Sequence, residues 1–160
     1  MSAFVLNVSD LLGHPGGRRG VVVDGPLRIH LDLASVEGPV HAELRLESTV
    51  NEIIAKGTVD FTAQLRCNRC LTEWSEPMQG AVMEVFGQED GPGIGRDGSI
   101  DVEQTLRDET VLAIPLVPLC KPDCRGLCPT CGTDLNTDPC SGHSDESESP
   151  FGALRHLLEP

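Results

Sequence analysis

The residues best suited to chemistry are seven cysteines and a single histidine near the last of them. Four of the cysteines stand in Cys120-Lys-Pro-Asp-Cys124-Arg-Gly-Leu-Cys128-Pro-Thr-Cys131-Gly132, a stretch punctuated by Pro and Gly. No helical or strand period runs through it, so apolar burial cannot set its shape. A metal can. Zinc takes tetrahedral thiolate sets, and Cys128-Pro-Thr-Cys131-Gly132 has the short knuckle form that offers two sulfurs to one ion. Cys67-Asn-Arg-Cys70 lies upstream as a second pair, and Cys140-Ser-Gly-His143 follows downstream. Eight candidate ligands permit two sites. The preferred partition joins Cys67 and Cys70 with Cys120 and Cys124, and groups Cys128, Cys131, Cys140 and His143 as Cys-x2-Cys-x8-Cys-x2-His. A single ribbon-like site of Cys67, Cys70, Cys128 and Cys131 is the alternative, and spacing alone does not choose between them.

Three other uses of these thiols compete with a structural metal. Inert buried cysteines do not explain the clustering in short pairs. Dithiol redox chemistry wants an exposed, low-pKa thiol, usually at a helix N-terminus. Here Cys67 and Cys70 follow a strand into a bend, and Cys131 runs into Gly132-Thr-Asp-Leu135-Asn136, so neither pair begins a helix. Arg69 would still depress a neighbouring thiol pKa, which keeps a redox protein using Cys67 and Cys70 as the alternative function. A catalytic zinc leaves a position open for water, whereas sulfur-rich sets of four are closed. The expectation is one or two structural zinc ions in a protein that is not an enzyme.

The elements that must position these residues read as mostly β. Phe4 to Val8 is a short strand, Ser9 to Leu12 a helical turn, and His14 to Gly20 a loop carrying the solvated pair Arg18 and Arg19. Leu27, Ile29, Leu31 and Leu33 alternate with polar residues. So do Val40, Ala42, Leu44 and Leu46, and then Val59, Phe61, Ala63 and Leu65. His30 and His41 fall on the polar faces, as surface residues and not ligands. With a returning strand over Ala81 to Phe86, residues 59–86 form a hairpin that carries Cys67 and Cys70 at its bend. Asp101 caps a helix, with Gln104 at the capping-box position and Pro115 as its stop. Leu116 to Leu119 is extended and delivers Cys120. Ser149-Pro150 begins a terminal helix with Phe151, Leu154 and Leu158 on one face. The fold class is therefore α+β: an antiparallel sheet or small barrel, a mid-chain helix, a Cys-rich knuckle segment and a short C-terminal helix. The organisation is one domain, with a β-rich core at 1–119, the metal segment at 120–143 and an acidic linker with the terminal helix at 144–160.

Composition narrows the class of function. The chain has 160 residues, 39% hydrophobic but only 3% aromatic, so its core is aliphatic and modest, and a metal would add stability. The net charge is −13, and residues 72–119 hold 10 acidic against 2 basic groups. Such a surface disfavours non-specific nucleic-acid binding. Arg66, Arg69, Lys121 and Arg125 nevertheless lie beside the cysteines as a local basic spot. Gly93-Ile-Gly95-Arg-Asp-Gly98 matches the dinucleotide fingerprint formally. It follows acidic loop where a strand is required, so no nucleotide cofactor is expected. The opening residues lack a signal-peptide pattern, and no segment has the length of a membrane span. A reduced, cytoplasmic protein is expected.

Cys67-Asn-Arg-Cys70-Leu71, the run Leu112-Ala-Ile-Pro-Leu-Val-Pro-Leu-Cys120, and Gly126-Leu-Cys128-Pro-Thr-Cys131-Gly-Thr-Asp-Leu135-Asn136 resemble the YceD-like family of large ribosomal RNA subunit accumulation proteins. The resemblance covers nearly the whole chain. It implies a cytosolic bacterial protein that supports accumulation of large-subunit ribosomal RNA, without catalysis. Some members lack most of these cysteines, which ties the metal to the fold more than to the activity. Where the family often opens its last helix with Asp-Pro-Arg, this chain reads Ser149-Pro150-Phe151, so no role for that Arg carries over. Two partners are expected: a ribosomal RNA precursor met by Arg66, Arg69, Lys121 and Arg125, or a basic ribosomal or assembly protein met by the acidic mid-section.

Overall fold

The alternating stretches fold into long strands that bury one side and expose the other. The computed structural model describes residues 2–87 and 91–143. Its elements are β1 (Val5–Asn7), β2 (Arg18–His30), β3 (Ala34–Ser48), β4 (Ile53–Arg66), β5 (Glu73–Phe86), β6 (Ser99–Asp101) and α1 (Glu103–Ala113). Strands β2-β3-β4-β5 form an antiparallel meander in sequence order, and β1 pairs with β6 as a separate two-stranded sheet. The meander is open rather than a closed barrel, since β2 and β5 are its edges.

Several elements differ from the sequence expectation. Strand β2 begins at Arg18, inside the expected loop, because Arg18 and Arg19 register against Glu47 and Leu46 of β3. Strand β5 starts at Glu73, not Ala81, and its early half contains Pro77 and Gly80. Proline lacks a ladder donor and is tolerated on an edge strand such as this one. The partnering of β1 with β6 has no signal in the sequence, for three residues carry no measurable period. In β3, pairing to β4 is interrupted between Ser35 and His41. Pro39 sits in that gap, where its missing N–H costs nothing.

One side of the sheet supplies the core, with Leu27, Leu46, Ile53 and Phe86 fully buried. Helix α1 covers that side, packing chiefly on β5. Gly80 allows the approach, since a Cβ there would lie 3.0 Å from the Glu109 carbonyl oxygen of α1. The helix starts one residue later than expected, with Val102 at its N-cap. Asp101 still serves the start, accepting the Glu103 amide on Oδ1 at 2.9 Å. Gln104 does not close a capping box; its side chain donates to Asp108 at 2.7 Å. The helix ends at Ala113, and Ile114 before Pro115 is extended, as the residue preceding a proline prefers. The expected C-terminal helix, with Phe151, Leu154 and Leu158, lies outside the described residues.

Candidate metal centre

The bend between β4 and β5 is a six-residue knuckle, Cys67-Asn-Arg-Cys70-Leu71-Thr72. The Cys67 amide donates to the Thr72 carbonyl at 2.9 Å, and the Leu71 amide donates to the Cys67 carbonyl at 3.0 Å. Closing this ring puts Leu71 at φ +61°, a left-handed conformation that side chains resist. Cys128-Pro-Thr-Cys131-Gly132-Thr133 repeats the pattern. The Cys128 amide reaches the Thr133 carbonyl at 2.8 Å, and the Gly132 amide reaches the Cys128 carbonyl at 2.9 Å. Gly132 takes the left-handed position at φ +74°. The shared motif Cys-x-x-Cys-x-Thr is thus an internal repeat of geometry, and its threonines were missed in reading the sequence. The Thr72 hydroxyl lies 3.2 Å from the Cys70 sulfur and the Thr133 hydroxyl 3.1 Å from the Cys131 sulfur. The signal was present: each Thr stands two residues after the second Cys of its pair.

The two knuckles do not face each other. Each instead meets a different later pair. The Asn68 amide donates to the Pro118 carbonyl at 2.9 Å, which brings the chain entering Cys120 alongside the first knuckle. Cys67, Cys70, Cys120 and Cys124 then form one group that could hold a metal ion, all four ligand atoms lying within 4.8 Å of one another. The Cys67–Cys124 sulfurs are 3.8 Å apart and the Cys70–Cys120 sulfurs 3.5 Å. Cys128, Cys131, Cys140 and His143 form the second such group under the same limit of 4.8 Å. Cys140 is 3.7 Å from both Cys128 and Cys131, and 3.0 Å from His143 Nε2. All seven cysteines are free thiols. The structure therefore forms the two-group partition, and the single ribbon-like grouping of Cys67, Cys70, Cys128 and Cys131 is not formed.

The groups differ in setting. Cys67, Cys70 and Cys124 are buried in a small cluster with Trp74, Leu119 and Leu127 around them. In the second group only Cys128 is buried, while Cys131 and His143 are exposed. Electrostatics favours thiolate at particular sulfurs. Burial pushes the Cys67 thiol up, but the amides of Cys120, Cys70 and Arg69 outweigh it and bring it down to about 6. Cys131 is lowered to about 6, first by the Thr133 hydroxyl and then by the Thr133 amide. Cys120 is pushed up to about 12, chiefly by the Cys70 sulfur beside it. Thiolates crowded this closely oppose one another's ionisation, and a central cation removes that conflict.

Two of the four basic residues beside the cysteines are engaged within the chain. Arg66 binds Glu73 through Nε at 2.9 Å and Nη2 at 2.7 Å. Arg69 serves the first group: its guanidinium donates to the Cys124 carbonyl at 2.8 Å, and its amide to the Cys67 sulfur at 3.4 Å. Its carbonyl accepts the Leu127 amide at 3.1 Å, linking the first knuckle to the chain that leads into the second. Asn136, also missed, donates to the Cys124 sulfur at 3.4 Å and accepts the Arg125 amide at 2.9 Å. Lys121 and Arg125 are exposed, and among the described residues neither side chain joins an ion pair.

Fold and site together define a β-meander protein with two sulfur-rich, four-ligand groups beyond one end of its sheet. The chain belongs to the YceD family: the family model described as large ribosomal RNA subunit accumulation protein YceD matches residues 55–158, a span that includes all eight candidate ligands. An uncharacterized protein of Mycobacterium leprae is 32% identical over 175 residues, covering 100% of this chain and 80% of its own length. An uncharacterized protein of Mycobacterium tuberculosis is 35% identical over 151 residues, covering 86% of this chain and 72% of its own. The maize protein named large ribosomal RNA subunit accumulation protein YCED homolog 1, chloroplastic, is 49% identical over 41 residues, 26% of this chain and 14% of its own. No solved structure matches the chain. Among the described residues, no helix is long and apolar enough to cross a membrane.

Proposed function

We propose that the chain is a non-enzymatic, zinc-binding cytoplasmic factor that supports accumulation of large-subunit ribosomal RNA. The observation that carries this reading is the pair of four-ligand groups in a chain of the YceD family. Zinc–sulfur bonds of about 2.3 Å put the edge of a sulfur tetrahedron at about 3.8 Å. The close sulfur pairs here stand 3.5 to 3.8 Å apart. The donor set of thiolate and imidazole suits a d¹⁰ ion with no redox chemistry. When bound, zinc would cross-link loops that no apolar core of their own holds. Elemental analysis of protein purified under reducing conditions should find about two zinc ions per chain. Cys67→Ser and Cys128→Ser should each lose one. A metal-free yet fully ordered protein would refute the reading.

Arg66 and Arg69 are best assigned to holding the fold, which leaves Lys121 and Arg125 beside the centres to meet an anionic partner. A basic protein partner is the second reading. Its support is the exposure of Leu112, Leu116 and Val117, at the end of α1 and just beyond it in a stretch that also carries Glu103, Asp108 and Glu109. Retention of a partner after nuclease treatment favours protein, and its loss favours RNA. Dithiol chemistry at Cys67 and Cys70 is disfavoured because Cys67 has 0% exposure and a redox thiol must be reached by its substrate.

A further inference from the structure

Away from the metal groups, the uncovered side of the sheet holds a conflict. Arg45 of β3 and Lys56 of β4 are direct cross-strand partners, and both are exposed. Like charges directly opposite one another destabilise a sheet. The nearby carboxylates are committed elsewhere. Glu47 pairs with Arg18 at 2.9 Å, and Glu43 lies 3.6 Å from His41. Among the described residues, neither Arg45 nor Lys56 has an ion-pair partner. A local rule broken without an internal compensation is expected where a surface has work to do.

The surroundings suit a long anion better than a small one. Across the four strands the row reads Gly20, Arg45, Lys56, Met83. Gly20 leaves open space on the β2 side of Arg45, with no atom within 4 Å of where a Cβ would stand. A shallow groove of about 760 Å³ runs over this part of the sheet, lined by Gly20 and by the cations Arg18, Arg45 and Lys56, with the carboxylates Glu43 and Glu47 also on its wall. Val22 and Met83 flank it with 58% and 64% of their surfaces exposed. A free phosphate would want an enclosed nest of amides. An extended chain of phosphates needs only a row of cations on an open face.

We propose that the Gly20–Arg45–Lys56–Met83 row binds the phosphodiester backbone of RNA. The assignment rests on the reading that the chain acts on ribosomal RNA, and it adds a contact on the sheet to that of Lys121 and Arg125 beside the metal groups. On a chain of net charge −13, this cation pair is a small landing point, so binding is weak, salt-sensitive and poor in sequence preference.

The test is fluorescence anisotropy with a fluorescein-labelled single strand of about 20 nucleotides from large-subunit ribosomal RNA, titrated between about 50 and about 200 mM salt. The native protein is compared with Arg45→Glu, Lys56→Glu and Lys56→Arg. Each charge reversal should weaken binding at least about tenfold at low salt and flatten the salt slope by about 1, while Lys56→Arg binds as native. Without RNA, Lys56→Glu should raise the thermal midpoint by about 1–3 °C, since it removes the like-charge opposition. Weaker binding with a more stable fold is an outcome that a merely structural Lys56 would not produce. Equal binding by native and reversed proteins overturns the proposal. So does no binding by the native protein at low salt, or displacement of the RNA by inorganic phosphate. Zinc content, measured on the same samples, reports separately on the metal reading.

Discussion

Leu71 and Gly132 occupy the same position in two knuckles, and only one of them suits it. Both are left-handed, at φ +61° and +74°. A residue with a Cβ gives up roughly 1 kcal/mol there. Leu71 is 52% exposed, so its side chain gains little burial in return. Leu71→Gly should therefore keep metal binding and raise stability by up to about 1 kcal/mol, with the freedom of glycine in the unfolded chain offsetting part of the gain. Denaturant unfolding of the metal-loaded variant checks this, and a clear loss of stability would show that the Leu71 side chain is held by a partner. Thr72 and Thr133 answer a different need at these turns. Their hydroxyls and amides hold down the pKa of Cys70 and Cys131, preparing thiolates for a cation.

The strands set where everything else stands, and their pairing leaves little slack at certain points. Gly57 of β4 lies opposite Leu44 of β3, and a Cβ added there would collide with the Glu43 backbone carbonyl. That neighbour is main chain in a central strand and cannot turn aside. Gly57→Ala should cost about 1–3 kcal/mol, read as a fall in the urea midpoint at unchanged slope. An unchanged midpoint would mean that β3 and β4 can separate locally. The same pairing brings Arg45 opposite Lys56, and the bend joining β4 to β5 carries the first knuckle at its tip. The long ladders thus position both the metal group and the cation row.

Trp74, the single tryptophan, joins the two halves of the molecule. It packs against the main apolar core and also against the buried Cys67, Cys70 and Cys124. Loss of the ion should therefore be felt at that ring. Chelation of the metal-loaded protein should shift Trp74 emission to longer wavelength and lower the thermal midpoint by on the order of 5–10 °C. The far-UV signal of the meander should persist, because its strands bury their own aliphatic core. If emission and midpoint both stay fixed after any bound metal is shown to be gone, the centres do not support the fold.

The candidate ligands were legible because thiols in close pairs carry their chemistry in their spacing. The strands were legible where alternation ran for several residues, as in Val59–Leu65 and the first half of Leu27–Leu33, although Leu31 and Leu33 fall in the turn after β2 ends at His30. The early half of β5 was not, since Pro77 and Gly80 break the pattern while edge position and helix contact permit them. Which pairs gather into one four-ligand group was decided only in three dimensions, by bonds such as Asn68 to Pro118 that join residues 50 apart in the chain. The opposition of Arg45 and Lys56 likewise follows from strand register. Residue type and local period are set by near neighbours and survive in one dimension. Ligand partition and cross-strand charge depend on which distant segments meet, and only the folded chain decides that.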